Sequence, residues 1–131
     1  MSFGNVPADE LGGALEKLLA KMEESDLAIE YERELAAMPS DAFHAFVEAV
    51  FAVFRERGES SEDAAEGAGT TVDSIARRQR GAPEALIAYA RANPDVLRES
   101  TALFVQRRPD FASLLPPALR AALAERLTSQ R

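Results

Sequence analysis

Residues 57–81 read RGESSEDAAEGAGTTVDSIARRQRG, and this stretch decides how the chain is organised. Ala65 is followed four residues later by Gly69, and Ile75 follows six residues after that. The spacing predicts two short helices meeting at a tight turn. The small residue lets the second helix approach, the glycine makes the turn, and the aliphatic residue anchors the second helix. Ser60 or Ser61 would cap the first helix, about 61–67, and Thr71 or Thr70 the second, about 71–80. Gly81-Ala82-Pro83 then breaks the chain, with Pro83 at a helix start.

Upstream, residues 41–57 carry Phe43, Phe46, Val47, Val50, Val53 and Phe54 at helical spacing, behind Ser40 as an expected N-cap. Phe51 lies off that stripe, so this helix should be buried on more than one side, as the centre of the core or in a dimer contact. Gly58 stops it. Leu11, Leu15, Leu18, Leu19 and Met22 predict a helix at about 9–24, with Asp9 and Glu10 favourably placed at its start. Ser25-Asp26 should cap a second helix, about 26–37, with Leu27, Ile29 or Glu30, Tyr31, Leu35 and Met38 on its apolar side. Pro39 ends it.

Downstream, Leu86, Ile87, Tyr89 and Ala90 mark one further helix, and Asn93-Pro94-Asp95 should cap another, carrying Val96, Leu97, Leu103, Phe104 and Val105. Pro109 and the Pro116-Pro117 pair delimit the last two pieces, and Leu119, Leu123 and Leu127 form the apolar edge of the final one. No segment alternates with period two, so an all-α chain is expected.

A chain of 131 residues suits one domain, and at 47% hydrophobic it can bury roughly two-thirds of its unfolded surface. There is no cysteine, hence no disulfide framework or thiolate chemistry. The N-terminal MSFGNVPADELGG has neither a basic start nor an apolar run, and no stretch approaches membrane-spanning length. A cytoplasmic protein without membrane contact is expected.

The net charge of −7 is unevenly distributed. Residues 1–66 carry 16 acidic and 5 basic side chains, whereas residues 67–131 carry 6 acidic and 10 basic. All ten of those basic residues are arginines, the side chain best shaped for phosphate. Such a split either gives two faces of opposite potential or pairs acidic helices with basic ones.

Other chemistry is poorly provided for. The one histidine, His44, has Glu48 a turn later, which suits a solvated pair better than a metal site needing three or four ligands. The acidic run Glu23, Glu24, Asp26, Glu30, Glu32, Glu34 contains no Glu-x-x-His pairs and reads as a solvated face or a docking surface for a basic partner. Ser60, Ser61 and Ser100 have no histidine base in reach by sequence. No enzyme activity, metal or other cofactor is expected.

Residues 55–81 resemble the helix-turn-helix of the Cro/repressor (XRE) family through Gly58, Ser60, Glu62, Ala65, Gly69, Thr71, Ser74, Ile75, Arg77 and Gly81, without a gap. Ala64 and Thr70 stand where that family usually has a large aliphatic residue and a valine, and Gln79 replaces an acidic residue. The resemblance implies that helix 71–80 lies in the major groove of double-stranded DNA. Thr70, Thr71, Val72 and Asp73 would then be nearest the bases. Arg77, Arg78 and Arg80 would reach phosphates or guanines, and Gln79 an adenine.

The sequence therefore predicts one all-α bundle of about six to eight helices containing a helix-turn-helix. Acidic helices occupy 1–38, the motif and its surroundings 41–92, and C-terminal helices 94–131. The leading expectation is a small homodimeric DNA-binding transcriptional regulator. The alternative is a non-enzymatic helical adaptor or scaffold that binds a protein partner through its acidic face.

Overall fold

The computed structural model describes Phe3 and residues 6–129; Arg131, one of the ten C-terminal-half arginines, lies outside them. The described residues form eight α-helices: α1 Ala8–Lys21, α2 Glu24–Glu34, α3 Ser40–Glu56, α4 Ser61–Gly67, α5 Val72–Ala76, α6 Ala82–Arg91, α7 Val96–Arg107 and α8 Pro117–Ser129. Short 3₁₀ turns cover Leu35–Ala37 and Pro109–Leu114. The protein is an all-α, multi-helix bundle, as the periodicity predicts.

Helix α3 is its axis. Phe43, Phe46, Val50 and Phe54 are sealed along one stripe, and Phe51 and Val53 are buried on opposite edges of it. Its apolar surface is too wide for one neighbour, so α7 packs along it, α4 lies against it and α2 meets it through Tyr31. Phe46 stacks on Tyr31 of α2 with centroids 4.3 Å apart and meets Phe104 of α7 edge-on at 5.7 Å. Where these helices meet, the buried Tyr31 hydroxyl and Thr101 Oγ1 share a hydrogen bond of 2.6 Å. Thr101 also donates to the Leu97 carbonyl at 2.8 Å, so Tyr31 must supply the proton of the shared bond. Leu119, Leu123 and Leu127 are buried along α8, as their spacing predicts.

The helix ends depart from expectation in a consistent way. Ser40 is the first residue of α3 rather than its cap, and Pro39 precedes it with no side-chain cap bond. Helix α2 begins before Ser25-Asp26, and its end tightens into the 3₁₀ turn at Leu35 instead of running to residue 37. Asp95 adopts φ +66° and its carboxylate binds Arg98 at 2.6 Å instead of capping α7. Ile29 points outward; Leu27, Ala28 and Tyr31 are the buried side of α2.

Arg98 also closes the α1 end. Its Nε donates to the Leu19 carbonyl at 3.0 Å, which also accepts the Met22 N–H, and its Nη2 donates to the carbonyl of Met22 itself. Beside it, both carboxylate oxygens of Glu24 are covered and without hydrogen-bond partners. Burial pushes the Glu24 carboxyl above its ordinary value; the nearby Arg98 charge opposes this and Asp95 adds to it.

A raised folded-state value means that the folded protein holds this proton more tightly than the unfolded chain. The ionised group therefore costs stability at neutral pH, and that cost disappears as pH falls through the raised value towards about 4.5. Glu24→Gln should accordingly be more stable than wild type at pH 7, with the advantage shrinking by pH 5. Urea midpoints of both proteins at the two pH values provide the check; a difference that does not vary with pH would contradict this account.

Among the described residues no helix is long and apolar enough to cross a membrane, and no His/Cys/Asp/Glu group could hold a metal ion.

Candidate functional site

The corner formed by α4 and α5 is built from local signals. Ser60 caps α4, its Oγ accepting the Asp63 N–H at 3.1 Å. Thr71 caps α5 by accepting the Ser74 N–H at 3.1 Å. Between them Gly69 stands at φ +84°. The Thr70 N–H reaches the Ala65 carbonyl and the Gly69 N–H the Glu66 carbonyl, each at 2.9 Å. This paired bonding satisfies the last carbonyls of a helix and requires a left-handed residue, which glycine adopts without strain. The chain therefore turns at Gly69 instead of continuing as one helix.

The core between the two helices is small but closed. Ala64, Ala65 and Ile75 are buried. Alanine at position 64 fills less volume than a large aliphatic residue would, and Tyr89 of α6 packs against Gly67 in the same helix. Tyr89 packs at a tilt against Phe54, centroids 5.2 Å apart, and donates to Glu59. That bond holds the Tyr89 phenol above its ordinary value. Gly67 has no side chain because a Cβ there would stand 2.7 Å from the Tyr89 ring. Neither Tyr89 nor Gly67 is singled out as a corner residue by sequence: Tyr89 reads only as one apolar position of a helical stripe.

The second helix is shorter than expected. It ends at Ala76, half the length predicted for residues 71–80. Arg78 takes φ +54°, its N–H bonding the Ile75 carbonyl at 3.0 Å while the Gln79 N–H bonds the Ser74 carbonyl at 2.9 Å. This repeats the Gly69 termination with an arginine in the left-handed position. Such a residue is uncommon there and needs compensation. Arg78 finds it by turning inward. Its guanidinium lies 4.1 Å from the Phe43 ring centroid, and Nη2 donates to the Met38 carbonyl at 2.5 Å. His44 Nε2–H ties the same end of α5 to α3, donating to the Ala76 carbonyl at 3.1 Å. The expected His44–Glu48 pair gives way to this bond and to the Glu48–Arg55 ion pair at 2.5 Å.

The expected DNA-contact residues consequently differ in what they can do. Thr71 and Asp73 are exposed, and Thr70 and Val72 are half-buried. Arg77 is exposed but lies 3.2 Å from Asp73. Gln79 and Arg80 are exposed on the loop after α5, whereas Arg78 is committed to the interior. None of these arginines pairs with Glu30, Glu32 or Glu34; Arg77 is neutralised locally by Asp73 instead. Residues 59–81 also bring their own carboxylates: Glu59, Glu62, Asp63, Glu66 and Asp73 against three guanidiniums.

The inward Arg78 leads to an expected result. Arg78→Ala should cost about 1–2 kcal/mol through loss of the carbonyl bonds and the ring contact. Arg78→Gly should cost less, because glycine relieves the left-handed strain. Denaturation midpoints for the two variants test the order; an unchanged midpoint for Arg78→Ala would mean that the side chain is not structural.

No family model matches this chain, and no curated protein or solved structure matches it.

Proposed function

We propose that the protein is a non-enzymatic helical interaction module that holds a basic amphipathic segment of a protein partner on the outer face of α2. The observation that carries this reading is Ile29, a large hydrophobic side chain left 42% exposed. Asp26 and Glu32, one turn to either side, are both exposed. Glu30 lies a loose 4.0 Å from Arg33, so its charge is only weakly neutralised. An apolar point framed by carboxylates complements a helix with one apolar anchor and flanking lysines or arginines.

A labelled amphipathic Lys/Leu peptide tests it by fluorescence anisotropy. Ile29→Ser and Glu32→Lys should each weaken binding by roughly ten-fold. Glu125→Lys on α8 is the control for net charge. If it weakens binding as much as Glu32→Lys, or if Ile29→Ser changes nothing, the peptide is not reading this face.

A homodimeric DNA-binding regulator is the second reading, favoured by the capped α4–Gly69–α5 corner. Charge weighs against it. With Arg78 turned inward and Arg77 beside Asp73, the corner offers one or two phosphate contacts, and the salt slope of duplex binding should be no steeper than about −2. A slope of about −4 or steeper in a salt-titrated assay, reduced by Arg77→Ala and Arg80→Ala, would favour the regulator over the module.

A further inference from the structure

A cavity of about 510 Å³ lies between the 3₁₀ turn after α2, the N-terminal half of α3 and the start of α6. Leu35, Phe43 and Pro83, all buried residues, give it an apolar lining. Arg78 contributes to the wall, but its Nη groups are engaged by the Met38 and Ala36 carbonyls. Two other charged side chains line the same space. Arg80 is exposed and has no hydrogen-bond or ion-pair partner among the described residues. Glu84 is half-buried, and its carboxylate likewise pairs with no cation. Its Oε2 is covered and without a partner, which leaves Oε1 as the oxygen open to a ligand.

An unpaired guanidinium and an unpaired carboxylate on one apolar cavity are the complement of an apolar zwitterion. A simple carboxylate would satisfy Arg80 and face Glu84 with like charge. A simple amine would do the reverse. A free α-amino acid satisfies both at once, with its side chain on the apolar side of the cavity. The volume falls within the range of small-molecule clefts, about 300–1,000 Å³.

We propose that this cavity binds a free apolar α-amino acid, with the α-carboxylate on Arg80, the ammonium on Glu84 and the side chain against Leu35, Phe43 and Pro83. The planar guanidinium can take the carboxylate through two parallel bonds. Ile29 is not among the lining residues, so this site stands or fails separately from the α2 face.

The probes are L-phenylalanine, 3-phenylpropanoate and 2-phenylethylamine, titrated while backbone amide resonances are followed by NMR. L-Phenylalanine should shift the Phe43, Gln79 and Gly81 amides and leave those of α8 unchanged. The two analogues, each lacking one charged group, should bind at least about ten-fold more weakly. Arg80→Ala removes a side chain with no intramolecular partner and should fold normally; it should weaken L-phenylalanine by about ten-fold. Glu84→Gln keeps the side-chain shape at the start of α6 and should also weaken it, while leaving 3-phenylpropanoate no worse bound. Absence of shifts at about 10 mM L-phenylalanine, far above the range of a working small-molecule site, would overturn the proposal. So would equal binding of zwitterion and acid, or unchanged affinity in both variants.

Discussion

Phe46→Ala is expected to destabilise the protein by roughly 3–5 kcal/mol. Phe46 is fully buried on α3, between Tyr31 of α2 and Phe104 of α7. Truncation removes the hydrophobic transfer energy of the ring and leaves a cavity whose walls belong to three helices. Those walls cannot easily collapse, because Tyr31 is tied to Thr101 across the same junction. The loss is a large part of the stability expected for a domain of this size, about 5–15 kcal/mol. Chemical denaturation followed by circular dichroism should show a strongly lowered midpoint. Ile29→Ala, on the exposed face of α2, should stay within about 0.5 kcal/mol of wild type. Equal midpoints for wild type and Phe46→Ala would mean that α3 is not the centre of the core.

Gly69→Val should cost about 2–3 kcal/mol, for a different reason. A Cβ at Gly69 would meet nothing within 4 Å, so no clash is involved. The cost is conformational: a β-branched residue is held at φ +84° by two backbone hydrogen bonds that a less strained geometry would break. The variants should therefore rank by tolerance of the left-handed region, with Gly69→Asn mildest, Gly69→Ala intermediate and Gly69→Val worst. Hydrogen exchange should quicken at Thr70 and Gly69 first, because their N–H groups make the turn. A ranking by side-chain volume alone, with Asn worse than Ala, would contradict this explanation.

Local chemistry alone was enough to specify most of the bundle. The 3.6-residue recurrence of Phe43, Phe46, Val50 and Phe54 identifies α3, and Phe51 off that stripe signals burial on a second side. Gly58, Gly69 and Gly81 mark the stops and turns, Ser60 or Ser61 and Thr70 or Thr71 mark the caps, and the prolines mark the later breaks. Each of these signals depends on residues within about one helical turn of one another, so no knowledge of packing is needed to read it.

The tertiary structure decided what the charged and polar side chains do. By sequence, Arg77, Arg78 and Arg80 are three equivalent cations on one helix. In the fold, the first stands beside Asp73, the second is drawn inward to Phe43 and to carbonyls some forty residues earlier, and the third is left free. The early end of α5 belongs with the Arg78 and His44 contacts, since both tie that end to α3 and the segment before it. The same holds for Glu24, turned inward beside Arg98, and for Ile29, turned outward from a stripe that appeared apolar. A guanidinium with five donors, or a carboxylate with none, takes whichever partners packing brings within reach. Those partners come from distant parts of the chain, so only the assembled helices determine which charges are consumed by the structure and which remain available to a ligand.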